Sequence, residues 1–192
     1  IMAEKKTSSS FWKKRLSVLL KKHALRPDTR VAVVGVGAEL NGDDAVGLRV
    51  ADRLASLVGQ QENLLVLNGG SLPESTSGAL RRFHPTLVLF VDAADLGKTA
   101  GAIEVLETQR VGGASFSTHG MPLIMLMDYL AEELGCESVL IGVQPEWVDF
   151  DSPLSDRAKK AANRLVKELY HLLAVPNLDE EELLAKKEDL GV

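Results

Sequence analysis

The sequence predicts an α/β fold of three layers, α/β/α, on an open, doubly wound, mainly parallel sheet of about five strands with one antiparallel edge strand. Three observations predict it. Short runs of Val, Leu and Ile recur along the chain, each closed by Gly, Asp, Asn, Gln or Pro, and such near-continuous apolar runs suit strands buried on both faces. Stretches of helical periodicity separate these runs, giving the alternation of a doubly wound sheet. The 192 residues, 45% hydrophobic and 26% charged, match one domain with a sizeable core and exclude global disorder.

The elements follow in order. Residues 8–25 read as an amphipathic helix, with Phe11, Trp12, Leu16, Leu19 and Leu20 set among Lys and Arg, and Pro27 ends it. Such a helix suits a membrane surface or a partner, or packing on its own domain. The strands are expected at 31–36, 64–67, 87–91 and 139–143, with helices at 44–57, 77–83, 121–134 and 154–173. Residues 102–107 alternate apolar and polar, as an edge strand does. The break at 173–176 opens an acidic tail with Leu178, Leu183 and Leu184 as docking residues. The chain thus divides into a basic helical extension (1–30), an α/β domain holding the candidate chemistry (31–175) and the acidic tail (176–192).

Charge is uneven within a net −5. Residues 1–30 carry nine Lys/Arg against two Asp/Glu, whereas residues 31–175 carry eleven against nineteen, a net −8. An acidic domain argues against a nucleic-acid surface, since phosphate binding relies on Lys and Arg. It suits a metal or a basic peptide, and plain solubility explains it as well. The single Cys, Cys136, excludes an internal disulfide and a cysteine zinc cage. No apolar run reaches the roughly 20 residues of a membrane span, and no signal peptide is recognisable, so a cytoplasmic protein is expected.

In an open α/β sheet the site lies beyond the carboxyl ends of the strands. There the chain places Gly35-Val-Gly37-Ala-Glu-Leu-Asn-Gly42-Asp43-Asp44, Asn68-Gly-Gly-Ser-Leu-Pro73-Glu74, Asp92-Ala-Ala-Asp95 and Gly142-Val-Gln144-Pro145. The first loop lacks both the third Gly of a dinucleotide fingerprint and the Lys of a phosphate loop. Two Asp residues there would repel phosphate and act as cation ligands, or as caps of the following helix. Asp92 closes the central strand, as a ligand or as a structural residue, and Asp95 suits a turn. Of the four His residues, His23 and His84 read as surface residues and His171 as a packing or surface residue, whereas His119 stands just before a helix that Pro122 starts. One His with two carboxylates makes a set suited to Zn, Ni or a similar divalent ion.

These residues resemble the [NiFe]-hydrogenase maturation endopeptidases. The shared features are Gly-x-Gly with Gly42-Asp43-Asp44-x-x-Gly47, Gly69-Gly70-Ser71-x-Pro73-Glu74, Val91-Asp92-Ala93 and Thr118-His119-Gly120-Met121-Pro122, from about residue 31 to 173. The Ser-x-Pro-Glu and Gly142-Val-Gln-Pro145 segments look like the branch that serves formate-hydrogenlyase or hydrogenase 3-type enzymes. The resemblance implies an endopeptidase that removes a C-terminal peptide from the precursor of a [NiFe]-hydrogenase large subunit after nickel insertion. It puts Asp44, Asp92 and His119 on the family's metal-contacting positions, with nickel supplied by the substrate or Zn held by the enzyme. Asp43 is the spare carboxylate and a candidate general base. The alternative is a nickel-binding maturation chaperone without hydrolysis. Ala38 stands where the family usually has Asn, so a loop-stabilising side chain is missing or replaced by Asn41, and Asn68 stands where an acidic or small residue is common.

Overall fold

A computed structural model describes residues 4–107 and 120–173. His119 and the acidic tail lie outside these residues. The sheet runs β2 (Leu64–Asn68), β1 (Val31–Gly35), β3 (Leu87–Ala93), β5 (Glu137–Val143) and β4 (Ile103–Glu107) in spatial order. Neighbours are parallel except β4, which pairs antiparallel with β5 at the edge, Val105 opposite Ile141. The expected fold class holds, down to the edge strand.

Side-chain alternation explains the layers, because successive residues of a strand face opposite ways. On β1, β3, β4 and β5, odd-numbered residues such as Val33, Leu89 and Ile141 enter one core with α1 (Glu4–Ala24), α2 (Val46–Val58) and α5 (Asp156–Leu173), joined by Leu64 and Val66 of β2. Even-numbered residues of those strands, such as Val34, Phe90 and Leu140, enter the other with α3 (Ser77–Phe83) and α4 (Gly120–Leu134), joined by Leu65 and Leu67 of β2. β1 and β3 are buried at every residue, which is why their sequences are unbroken apolar runs rather than alternating ones.

The connections place the site. β1 leads through α2 to β2 on one side, and β2 leads through α3, on the opposite face, to β3 on the other side. The order therefore reverses between β1 and β3, and the crevice beyond their carboxyl ends is where such a sheet binds its ligand.

The N-terminal helix packs on its own domain. Trp12, Leu16, Leu20 and His23 lie on one stripe and are all buried, the first three in the core that faces α2 and α5. Lys13 pairs with Glu168 of α5 at 2.7 Å. His23, expected on the surface, is instead 2% exposed, with its Nε2 3.0 Å from Glu137 Oε2, which also accepts from Lys22 Nζ at 2.8 Å. Its position on the buried stripe forces this. Burial works against the charge of Glu137, but the hydrogen bonds and charges of Lys22 and His23 outweigh it and hold the carboxyl below its ordinary value of 4.5.

Two outcomes follow for stability. Leu16→Ala should lower the urea midpoint by the equivalent of about 2–5 kcal/mol, whereas Val18→Ser on the exposed face should stay within about 0.5 kcal/mol. Equal effects would mean that α1 does not pack as described. Glu137 has a depressed folded pKa, so its contribution is present above the unfolded value and lost as pH falls through the folded one. Wild type and Glu137→Gln should therefore differ at neutral pH and begin to converge below pH 4.5 in urea melts. A gap that stays constant into strong acid would remove this assignment.

Candidate active site

The rim is built by backbone packing. Beyond β1, the Val36 N–H donates to the Val91 carbonyl at 2.8 Å, and the chain reaches a 3-10 turn, Gly42–Ala45, just before α2. A Cβ on Gly47 would stand 2.1 Å from the Val91 oxygen and 2.3 Å from that of Val36, and one on Gly37 would stand 1.9 Å from the Asp44 oxygen. The glycine pattern that looked like a nucleotide loop thus serves close contact of the turn and α2 with β1 and β3.

Two of the candidate ligands lie on elements that pack together there. Asp44 is 4% exposed, and its Oδ2 accepts from the Ala38 N–H at 2.7 Å. Asp92 is 0% exposed and lies within β3, in register with Gly142 of β5. The turn carrying Asp44 packs directly on β3, so both carboxylates stand at the point where the strand order reverses. His119 lies outside the described residues, immediately before α4 begins at Gly120. Among the described residues no group of three or more His, Cys, Asp or Glu could hold a metal ion.

Asp43 is engaged differently. It is 1% exposed; its Oδ1 accepts from the Ser155 N–H at 2.6 Å, and its Oδ2 accepts from the Glu146 N–H at 2.7 Å and the Ser155 hydroxyl at 2.8 Å. The Ser155 oxygen also accepts from the Ala158 N–H at 3.0 Å and so caps α5. Both oxygens of Asp43 are therefore occupied by protein donors and shut away from water, which suits an anchor and not a general base. Neither Asp caps α2: Ala45 holds that position, and no side chain bonds to it. The carboxylates turn instead toward other segments. Asn41 makes no capping bond either, and acts through its backbone by accepting from the Asp44 N–H.

The other rim loops are fixed by polar side chains. Gln144 Oε1 accepts from the N–H groups of Leu96 and Lys98 at 2.7 and 3.2 Å, which holds the loop after β3. Asp95 forms the expected turn, accepting from the Gly97 N–H at 3.1 Å. Asn68 donates to Asp52 at 3.0 Å and accepts from the Gly70 N–H at 3.1 Å. An open groove of about 780 Å³ lies between the Gly37–Asn41 loop, α2, the loop after β2, and Phe150 with Leu154. Sequence reasoning missed Ser155 and Gln144. Ser155 had a signal as the N-cap of the last helix; nothing local marked Gln144 as a loop anchor.

Comparison with known proteins agrees with this fold. A family model for hydrogenase maturation proteases matches residues 48–172, a span that takes in Asp92 and His119 and begins just after Asp44. The hydrogenase 3 maturation protease of Escherichia coli K12 is 35% identical over 135 residues, 70% of this chain and 85% of that protein. The crystal structure of a [NiFe] hydrogenase maturation protease HycI from Thermococcus kodakarensis KOD1 is similar with a TM-score of 0.72 and 36% identity, over 81% of this chain and 98% of that one. The solution structure of an endopeptidase HycI from Escherichia coli gives 0.65 and 32%, over 74% and 92%. On this extent of likeness in sequence and fold, the chain belongs to the hydrogenase maturation protease family.

Proposed function

We propose that this chain removes a C-terminal peptide from the precursor of a [NiFe]-hydrogenase large subunit once nickel has been inserted. The observation that carries the reading is the pair of buried carboxylates, Asp44 and Asp92, brought to the strand-order reversal of a maturation-protease fold. Buried carboxylates favour a cation near them, and an oxygen, oxygen and nitrogen set from Asp44, Asp92 and His119 suits nickel or zinc. Cys136 is buried beneath the sheet in the core that faces α3 and α4, so thiolate ligands to nickel come from the substrate.

In this reading the nickel belongs to the substrate. The triad docks on nickel already seated in the precursor, and the presence of the ion licenses cleavage. Three protein ligands leave coordination positions for the precursor's own side chains. One of the two rim carboxylates takes a proton from water as the oxygen attacks the scissile carbonyl, and then returns it to the departing amine. Asp43 acts one step removed, by fixing the turn that aims Asp44.

The test is the mass of a nickel-loaded precursor after incubation with the protein. Loss of a C-terminal peptide is expected, and an unchanged mass would leave a maturation chaperone. Asp44→Asn, Asp92→Asn and His119→Ala should each lower kcat/KM by about 100-fold or more while remaining folded. A His119→Ala enzyme that cleaves at the wild-type rate would remove His119 from the site. Metal analysis of the purified protein should find no stoichiometric ion; one zinc per chain would move the metal from substrate to enzyme. Asp43→Asn should instead act on stability, at about 1–3 kcal/mol, because it weakens three buried hydrogen bonds together.

A further inference from the structure

The loops on the site's rim share an unusual surface. Glu39, Glu74, Asp95, Glu146, Asp149 and Asp151 are all exposed there, and Lys98 is the one Lys or Arg on the described loops that follow β1, β2, β3 and β5. Glu146 pairs with Arg157 at 3.2 Å, but among the described residues no cation pairs with Glu39, Glu74, Asp149 or Asp151. The two cations that line the groove, Arg49 and Arg53, stand on α2, and Arg53 is tied to Asn163 at 2.8 Å. The acidic lip is therefore left uncompensated on the loop side.

Apolar side chains stand among these acids. Leu40 is 58% exposed and Phe150 76%, both on the wall of the groove, and Leu72, Trp147 and Val148 are exposed on the loops that follow β2 and β5. The two walls are joined, since the Asp151 N–H donates to the Leu40 carbonyl at 2.7 Å and Asn41 bridges Ser152. Large exposed apolar groups beside a binding crevice mark a contact surface, and uncompensated charge selects the sign of what contacts it.

We propose that this groove docks a basic segment of the precursor, one in which Lys or Arg residues alternate with apolar residues, and so presents the scissile bond to the Asp44 rim. The apolar residues lie against Leu40 and Phe150, and the cations face Glu39, Asp149 and Asp151. The inference rests on the processing reading and adds to it a substrate preference read by charge.

The experiment uses the full chain and fluorescein-labelled twelve-residue peptides of Lys/Leu, Lys/Ser and Glu/Leu composition, followed by anisotropy at low salt. The Lys/Leu peptide should bind at least about tenfold more tightly than Glu/Leu, and the preference should shrink as salt is raised. Glu39→Lys with Asp149→Lys and Asp151→Lys should abolish the preference. Glu62→Lys with Glu132→Lys and Glu133→Lys, the same charge change away from the rim, should leave it intact. Leu40→Ser with Phe150→Ser should weaken Lys/Leu binding and spare Lys/Ser. Equal binding of all peptides, or equal loss in the two charge-reversed proteins, would overturn the proposal. With nickel-loaded precursor, the rim reversal should raise KM about tenfold and leave kcat unchanged. A wild-type protein that keeps the peptide preference but never cleaves the precursor counts against the peptidase reading alone.

Discussion

The carboxylate of Asp43 is the constraint on which the site depends. It is buried, and it gathers a backbone N–H from Glu146 and both the N–H and the hydroxyl of Ser155. Through these bonds the turn carrying Asp44 is held to the loop after β5 and to the capped start of α5. Hydrogen bonds to an ionised acceptor are stronger than neutral ones, and leaving such a group unmatched in the interior is costly. Adjacent Asp residues thus divide the labour: one ties the turn to the start of α5, and the other holds the Ala38 N–H of the loop that lines the groove.

A second constraint is steric. Gly35, Gly37 and Gly47 let the backbones of β1, the turn and α2 meet at distances that no Cβ would tolerate. This contact sets how close Asp44 comes to β3, and so to Asp92. Any side chain at Gly47 would lift α2 off the strands and separate the carboxylates, with no change to either of them. The glycine spacing resembles a nucleotide motif because both uses need bare backbone.

Much of this was legible in the sequence. The apolar runs marked β1, β3 and β5 because both of their faces are covered, and the alternation at 102–107 marked the edge. Asp44 and Asp92 could be placed on one rim because carboxyl ends of parallel strands share a side of the sheet. The roles of Asp43 and Ser155 could not be read, because 112 residues separate the two and neither records the other locally. His23 was misjudged for a different reason. Its stripe with Trp12, Leu16 and Leu20 was visible, but its partner, Glu137, lies at the start of β5.

The strand order also dictates a schedule of assembly. β4 leaves the ribosome before β5, yet its one neighbour in the sheet is β5. Until β5 is made, β4 has no strand to pair with, and the edge of β3 that β5 will fill stays open. Asp43, made early, waits longer still, since Ser155 follows β5 in the chain. Contacts between distant residues must pay the entropy of closing a long loop before they reward it. A nascent chain halted before Ser155 therefore holds Asp44 and Asp92 without the bonds from Asp43 to Ser155 that tie their turn to the start of α5.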